Sequence, residues 1–154
     1  MYRRNMKMDR RSLLASAGAI ALANVAVGVA RGHEVKSESK SIPGLDKMHQ
    51  SCLDICQSCE ATCNTTLSYC MTHLAEGHKD HAACAALVLS CQEFCGLSAK
   101  LLARSCVLTP IACGACAKAC EACAAECDKM KSDKQMAACA AACRECAASC
   151  QKMV

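Results

Sequence analysis

Eighteen of the 154 residues are cysteine, and all of them lie in one stretch of about a hundred residues. They are Cys52, Cys56, Cys59, Cys63 and Cys70, then Cys84, Cys91 and Cys95, then Cys106. Cys113, Cys116, Cys120, Cys123 and Cys127 follow, and Cys139, Cys143, Cys146 and Cys150 close the series. Within each group the steps are three, four or seven residues, which place side chains on one face of an α-helix. From Cys113 to Cys127 the steps alternate three and four throughout. That is a coiled-coil seam written in cysteine where leucine is usual.

Thiols in this pattern can cross-link, exchange electrons or hold soft metals. Disulfides suit an exported chain with an even cysteine count. Their geometry is poor here, because i and i+4 side chains on a helix run nearly parallel near the upper limit of bridgeable separation. Ferredoxin-type iron–sulfur runs put two, two and three residues between cysteines on a loop, commonly followed by Pro, and that pattern is absent. Thioredoxin-like use of Cys-x-x-Cys needs a βαβ setting that the chain does not offer. No catalytic constellation is visible, so no enzymatic activity is expected.

Among soft metals, charge discriminates. Replacing a thiol proton with Cu(I) leaves an apolar interior neutral, whereas Zn(II) on four thiolates leaves a buried charge of about −2. No Lys or Arg falls on the cysteine face to compensate it. Cu(I) also accepts two or three sulfur ligands without demanding a tetrahedron. Seven Cys-x-x-x-Cys turns (52/56, 59/63, 91/95, 116/120, 123/127, 139/143 and 146/150) could each hold one ion. The residues thus point to a store for multiple Cu(I) ions. Zinc or another soft metal, and a structural disulfide protein, stand as alternatives.

These cysteines need four helices to carry them. The spacing and breaks predict helices over about 45–75, 80–105 and 109–131, and from 132 to the C-terminus. Asp80 is the expected cap of the second, Thr109 with Pro110 opens the third, and Ser132 with Gln135 forms a capping box for the fourth. Short connections between long helices imply an all-α, antiparallel up-down-up-down four-helix bundle with a Cys-lined core over 46–154. Glu60, Lys118, Glu121, Glu126, Arg144 and Glu145 fall between the cysteines and are expected to face water. Cys70, Met71, His73, His78, His81, Cys84, Met130 and Met136 gather at one end of such a bundle. Thioether and imidazole bind Cu(I) more exchangeably than thiolate, so Met71, His73, His78, His81, Met130 and Met136 are expected to form a loading port. The other end receives Met48, His49, Cys106 and Met153.

Outside the bundle, Arg10-Arg11-Ser12-Leu13-Leu14 opens an uncharged apolar run to Ala30. This is the order of a signal peptide, similar to the twin-arginine type. Cleavage is expected after Ala30, with Ala23 and Ala26 as alternatives, followed by a flexible lead-in over 31–45. Export from a bacterial cytoplasm to the periplasm is the expectation. An uncleaved anchor is the alternative, since the run just reaches the lower limit for spanning a bilayer. The net charge of +4 belongs to residues 1–30, where Arg3, Arg4, Lys7, Arg10 and Arg11 face only Asp9; the remainder balances to zero. With no basic patch and almost no aromatics, no nucleic-acid partner is expected.

The repeated Cys-x-x-x-Cys and Cys-x-x-Cys register, with the segment Cys63-Asn-Thr-Thr-Leu-Ser-Tyr69-Cys70-Met71-Thr-His73, resembles the bacterial copper storage protein family over about Met48 to Val154. The resemblance implies a bundle filled with Cu(I) bound to cysteine, and a homotetramer. The twin-arginine-like segment fits the family's exported branch. The repeat lapses at Thr66 and Leu67 on the first helix and at Leu87 and Val88 on the second, so the metal row is expected to be uneven. Cys106 has no close sequence partner.

Overall fold

The computed structural model describes residues 41–154; the export segment expected over 1–30, and most of the expected lead-in, lie outside the described residues. Four helices follow one another: α1 (Lys47–Ala75), α2 (His81–Ala103), α3 (Thr109–Cys127) and α4 (Lys134–Cys150). Single 3-10 turns, Asp128–Met130 and Gln151–Met153, extend α3 and α4. Among the described residues there is no strand. Each helix packs on its neighbours in sequence, and α1 closes the ring against α4. Sulfur contacts give the directions. Cys52 and Cys56 meet Cys150, and Cys59 meets Cys143, so α1 and α4 are antiparallel. Cys84 meets Cys127, Cys91 meets Cys120 and Cys95 meets Cys116, so α2 and α3 are antiparallel too.

The caps differ in detail from those expected. Asp46 starts α1 by accepting from the amides of Met48 and His49. Asp80 precedes α2 as expected, but its backbone is already helical and its side chain caps nothing. Thr109 is inside α3 and Leu108 takes the cap position. For α4 the cap is Asp133, not Ser132: its extended backbone lets the carboxylate accept from Gln135 and Met136. A carboxylate reaches these free amides as well as a hydroxyl does, and its charge complements the helix dipole. Ahead of α1, residues 42–45 form a turn, with Ile42 donating its amide to Gln50 Oε1.

Seventeen cysteines are buried, and the core around them is small-sided. The bulkiest fully buried side chains are only Leu102, Met136, Val88 and Thr66. Of the charged residues expected to face water, Lys118, Glu121, Arg144 and Glu145 do so, while Glu60 and Glu126 are half-buried. Glu60 lies across α2 at Gly96, where a Cβ would come within 2.8 Å of its carboxylate. Gly96 therefore leaves room for the Glu60 carboxylate against α2. The outer face of α2 leaves Leu89, Phe94 and Leu97 exposed.

Candidate metal centre

The helical steps turn the seventeen helical cysteines inward, and antiparallel packing sets the sulfurs of different helices against one another. Among the described residues, at least five groups of four thiols have all sulfurs within 4.8 Å of one another. In order along the bundle they are Cys56, Cys116, Cys146, Cys150; then Cys95, Cys116, Cys120, Cys146; then Cys59, Cys91, Cys95, Cys120; then Cys59, Cys63, Cys91, Cys143; then Cys63, Cys123, Cys139, Cys143. Each group shares two sulfurs with the next. The thiols form a continuous ladder, not a set of separate sites. Contacts between helices are as short as those within one turn: Cys91 to Cys120 is 3.5 Å and Cys95 to Cys116 is 3.6 Å, against 4.0 Å for Cys91 to Cys95. Pairs across helices thus stand beside the Cys-x-x-x-Cys pairs as candidate ligands, because the nearest sulfur is often on a facing helix. All eighteen cysteines are free thiols.

Electrostatics follow from this crowding. A thiolate among thiols is stabilised by their S–H donors, so neighbours shift in opposite directions. Contact with Cys116 pushes the Cys120 thiol up, and contact with Cys120 pulls Cys116 down. Burial, then the neighbouring Cys84, raises Cys70 to about 12. Among the described residues no Lys, Arg, Asp or Glu is buried. The interior can accept a cation only in exchange for protons, which favours monovalent Cu(I).

The repeat lapses at two buried positions. Thr66 and Val88 are fully buried where α1 and α2 lack a cysteine. The Thr66 hydroxyl donates to the Thr62 carbonyl and accepts from Gln135 Nε2, so it is spent structurally. One turn before Val88 on α2, Cys84 lies 3.4 Å from Cys127 Sγ and 3.5 Å from Met136 Sδ. Met136 thus sets a thioether beside this thiol pair.

The expected port residues divide. His73 and His81 stack with ring centres 4.7 Å apart, and His78 meets His73 edge-on at 5.4 Å. His81 is buried, and its Nδ1 has no hydrogen-bond partner. Glu76 lies 3.4 Å from His73 Nδ1. Met136 is buried beside Cys84, Met130 is half-buried, and Met71 is exposed at 56%. Sequence reasoning missed Tyr69 and Asp133. The Tyr69 ring packs on His73 at 4.4 Å and on His81 at 5.8 Å, while its hydroxyl donates to Asp133 Oδ2 at 2.5 Å. That hydroxyl holds the Asp133 carboxyl below its ordinary range. At the opposite pole Met48 and Met153 line one cleft, and His49 and Cys106 another.

Comparison with known proteins agrees with this geometry. The chain is similar to the Cu(I)-bound copper storage protein BsCsp3 at 30% identity, over 70% of this chain and 98% of that one, with a TM-score of 0.60. It is similar to the apo copper storage protein 3 of Bacillus subtilis at 32%, over 68% and 96%, TM-score 0.60. The Nmul_A1745 protein of Nitrosospira multiformis matches at 34%, over 70% and 95%, TM-score 0.60. A comparison with curated protein sequences finds no match. The family profile described as copper storage protein matches residues 45–154. On that match, which takes in every cysteine of the chain, this protein belongs to the copper storage protein family.

Proposed function

We propose that the bundle stores multiple Cu(I) ions on its cysteine thiolates, for supply to other proteins or for detoxification. The observation that carries this reading is the ladder of four-thiol groups sharing two sulfurs with each neighbour. Isolated tetrahedral zinc sites would not share ligands, and their charge would have no buried cation to offset it. Soft, low-coordinate Cu(I) tolerates both shared thiolates and a neutral interior. Storage needs no catalytic step.

Anaerobic titration of Cu(I) against a chelator tests it. We expect saturation on the order of one ion per cysteine, as thiolate softness permits. Saturation at one or two ions per chain would sink the storage reading. The His73, His78 and His81 cluster, with the free Nδ1 of His81, supports a loading port at that end. Replacing all three histidines is expected to slow loading more than it lowers capacity in the same titration. Lost capacity at an unchanged rate would contradict the port.

We further propose that the chain is exported by the twin-arginine route and assembles as a homotetramer, as family resemblance suggests. The exposed Leu89, Phe94 and Leu97 of α2 offer an apolar face for that assembly. Recovery of a chain beginning after Ala30, with a solution mass of four such chains, is the expected result. A full-length monomer would refute both.

A further inference from the structure

At the pole opposite the histidine cluster, the last described thiols are Cys52, Cys113 and Cys150. His49 stands one helical turn before Cys52 on α1, and Thr109 one turn before Cys113 on α3. At 1.5 Å per residue each lies roughly 5 Å farther out along the bundle. Both line a cleft of about 300 Å3 that also holds Asp46, Ser105, Cys106 and Pro110.

Three observations distinguish this cleft. Cys106 is the one cysteine of the eighteen that is not buried. His49 Nδ1 is bound to Asp46 Oδ2 at 2.6 Å, which leaves Nε2 as its free nitrogen; a carboxylate on one ring nitrogen is the arrangement that orients a metal-binding histidine. Thr109 is 4% exposed, yet its Oγ1 has no hydrogen-bond partner. A buried hydroxyl without a partner is costly unless something occupies the site it faces. The backbone also holds Cys106 in place. α2 ends with the Cys106 amide on the Leu101 carbonyl and the Ser105 amide on that of Leu102. This ending requires a left-handed residue where glycine is usual, and Ser105 adopts it at φ 48°.

We propose that Cys106 and His49 form a solvent-facing Cu(I) site at this pole, a hand-over point at the far end of the thiol ladder. The inference rests on the storage reading above. Cu(I) bridges the Cys106 sulfur and His49 Nε2, a two-coordinate soft pair. The thiol proton leaves to water as the copper–sulfur bond forms, and copper stays in the +1 state throughout. A two-coordinate, half-exposed ion can accept a third ligand from an incoming thiolate, which the buried ladder cannot do.

Iodoacetamide alkylation of the full chain, read by peptide mass spectrometry before and after anaerobic Cu(I) loading, tests it. In metal-free protein Cys106 is expected to react at least ~10-fold faster than the other seventeen, following its exposure. Loading is expected to slow it by ~10-fold or more, and in His49→Gln this protection falls to within about threefold of the metal-free rate, as loss of a ligand dictates. The seventeen buried thiols stay protected in that variant. If they are protected while Cys106 reacts as fast loaded as empty, or if its protection survives His49→Gln, the site is refuted and storage stands. If none of the eighteen is protected, storage itself fails and the site with it.

Discussion

Cu(I) loading is expected to raise the thermal midpoint of the bundle by more than ~20 °C. The reason lies in what the interior lacks. Its bulkiest fully buried side chains are Leu102, Met136, Val88 and Thr66, with cysteine next and no aromatic ring among them. Cysteine and alanine each bury little apolar area, at about 25 cal/mol per Å2. Each ion present at a hundredfold over its dissociation constant adds about 2.7 kcal/mol. Three such ions would add roughly as much as the whole stability of an ordinary domain, 5–15 kcal/mol. For a domain of this size 1 kcal/mol shifts the midpoint by about 4 °C or more. Calorimetry of metal-free and loaded protein checks this, as does stripping a loaded sample with a strong Cu(I) chelator, which should return the metal-free melt. Midpoints within ~2 °C of each other would mean that copper does not bind the thiol ladder. Because binding displaces thiol protons, the stabilisation should shrink as pH falls.

Cys120→Ser is expected to remove two or more ions from the capacity, whereas Cys52→Ser at the end of the row removes about one, since a shared ligand serves two neighbouring sites and serine oxygen is too hard to replace it. Cys120 belongs to two of the four-thiol groups and lies 3.5 Å from Cys91, 3.7 Å from Cys95 and 3.9 Å from Cys116. Serine is nearly isosteric, and its hydroxyl can bond the carbonyl four residues back, as Thr66 does to Thr62 and Ser90 to Ala86. The metal-free fold should therefore lose only about 1 kcal/mol. Titration of both variants beside the unaltered chain gives the answer. Equal losses of one ion each would show that the ladder works as independent sites.

The difference between these two cysteines is not visible in the spacing. Steps of three and four define a helical face, so the thiol-lined interior could be read from the spacing within each cluster and the four helices from the breaks between clusters. Which sulfurs meet depends on the register between antiparallel helices, and no local pattern records it. Cys56 and Cys146 are 90 residues apart and touch at 3.8 Å. The same holds at the histidine end. Tyr69 and Asp133 are joined across 64 residues, so neither was legible as part of the cluster; His81, expected there, is buried and stacks on His73. The cap of α4 was misplaced by one residue for a local reason, since Ser132 and Asp133 are both good caps. Thr66 and Val88 were legible as gaps in the repeat; that Met136 lies against Cys84 across 52 residues was not.

Tyr69 has a use at the bench as well as in the structure. The chain has no tryptophan, and among the described residues Tyr69 is the only tyrosine. Its ring packs against His73 and His81, so the intrinsic ultraviolet emission of the bundle originates beside the histidine cluster. The protein carries its own fluorophore beside the residues proposed as the loading port.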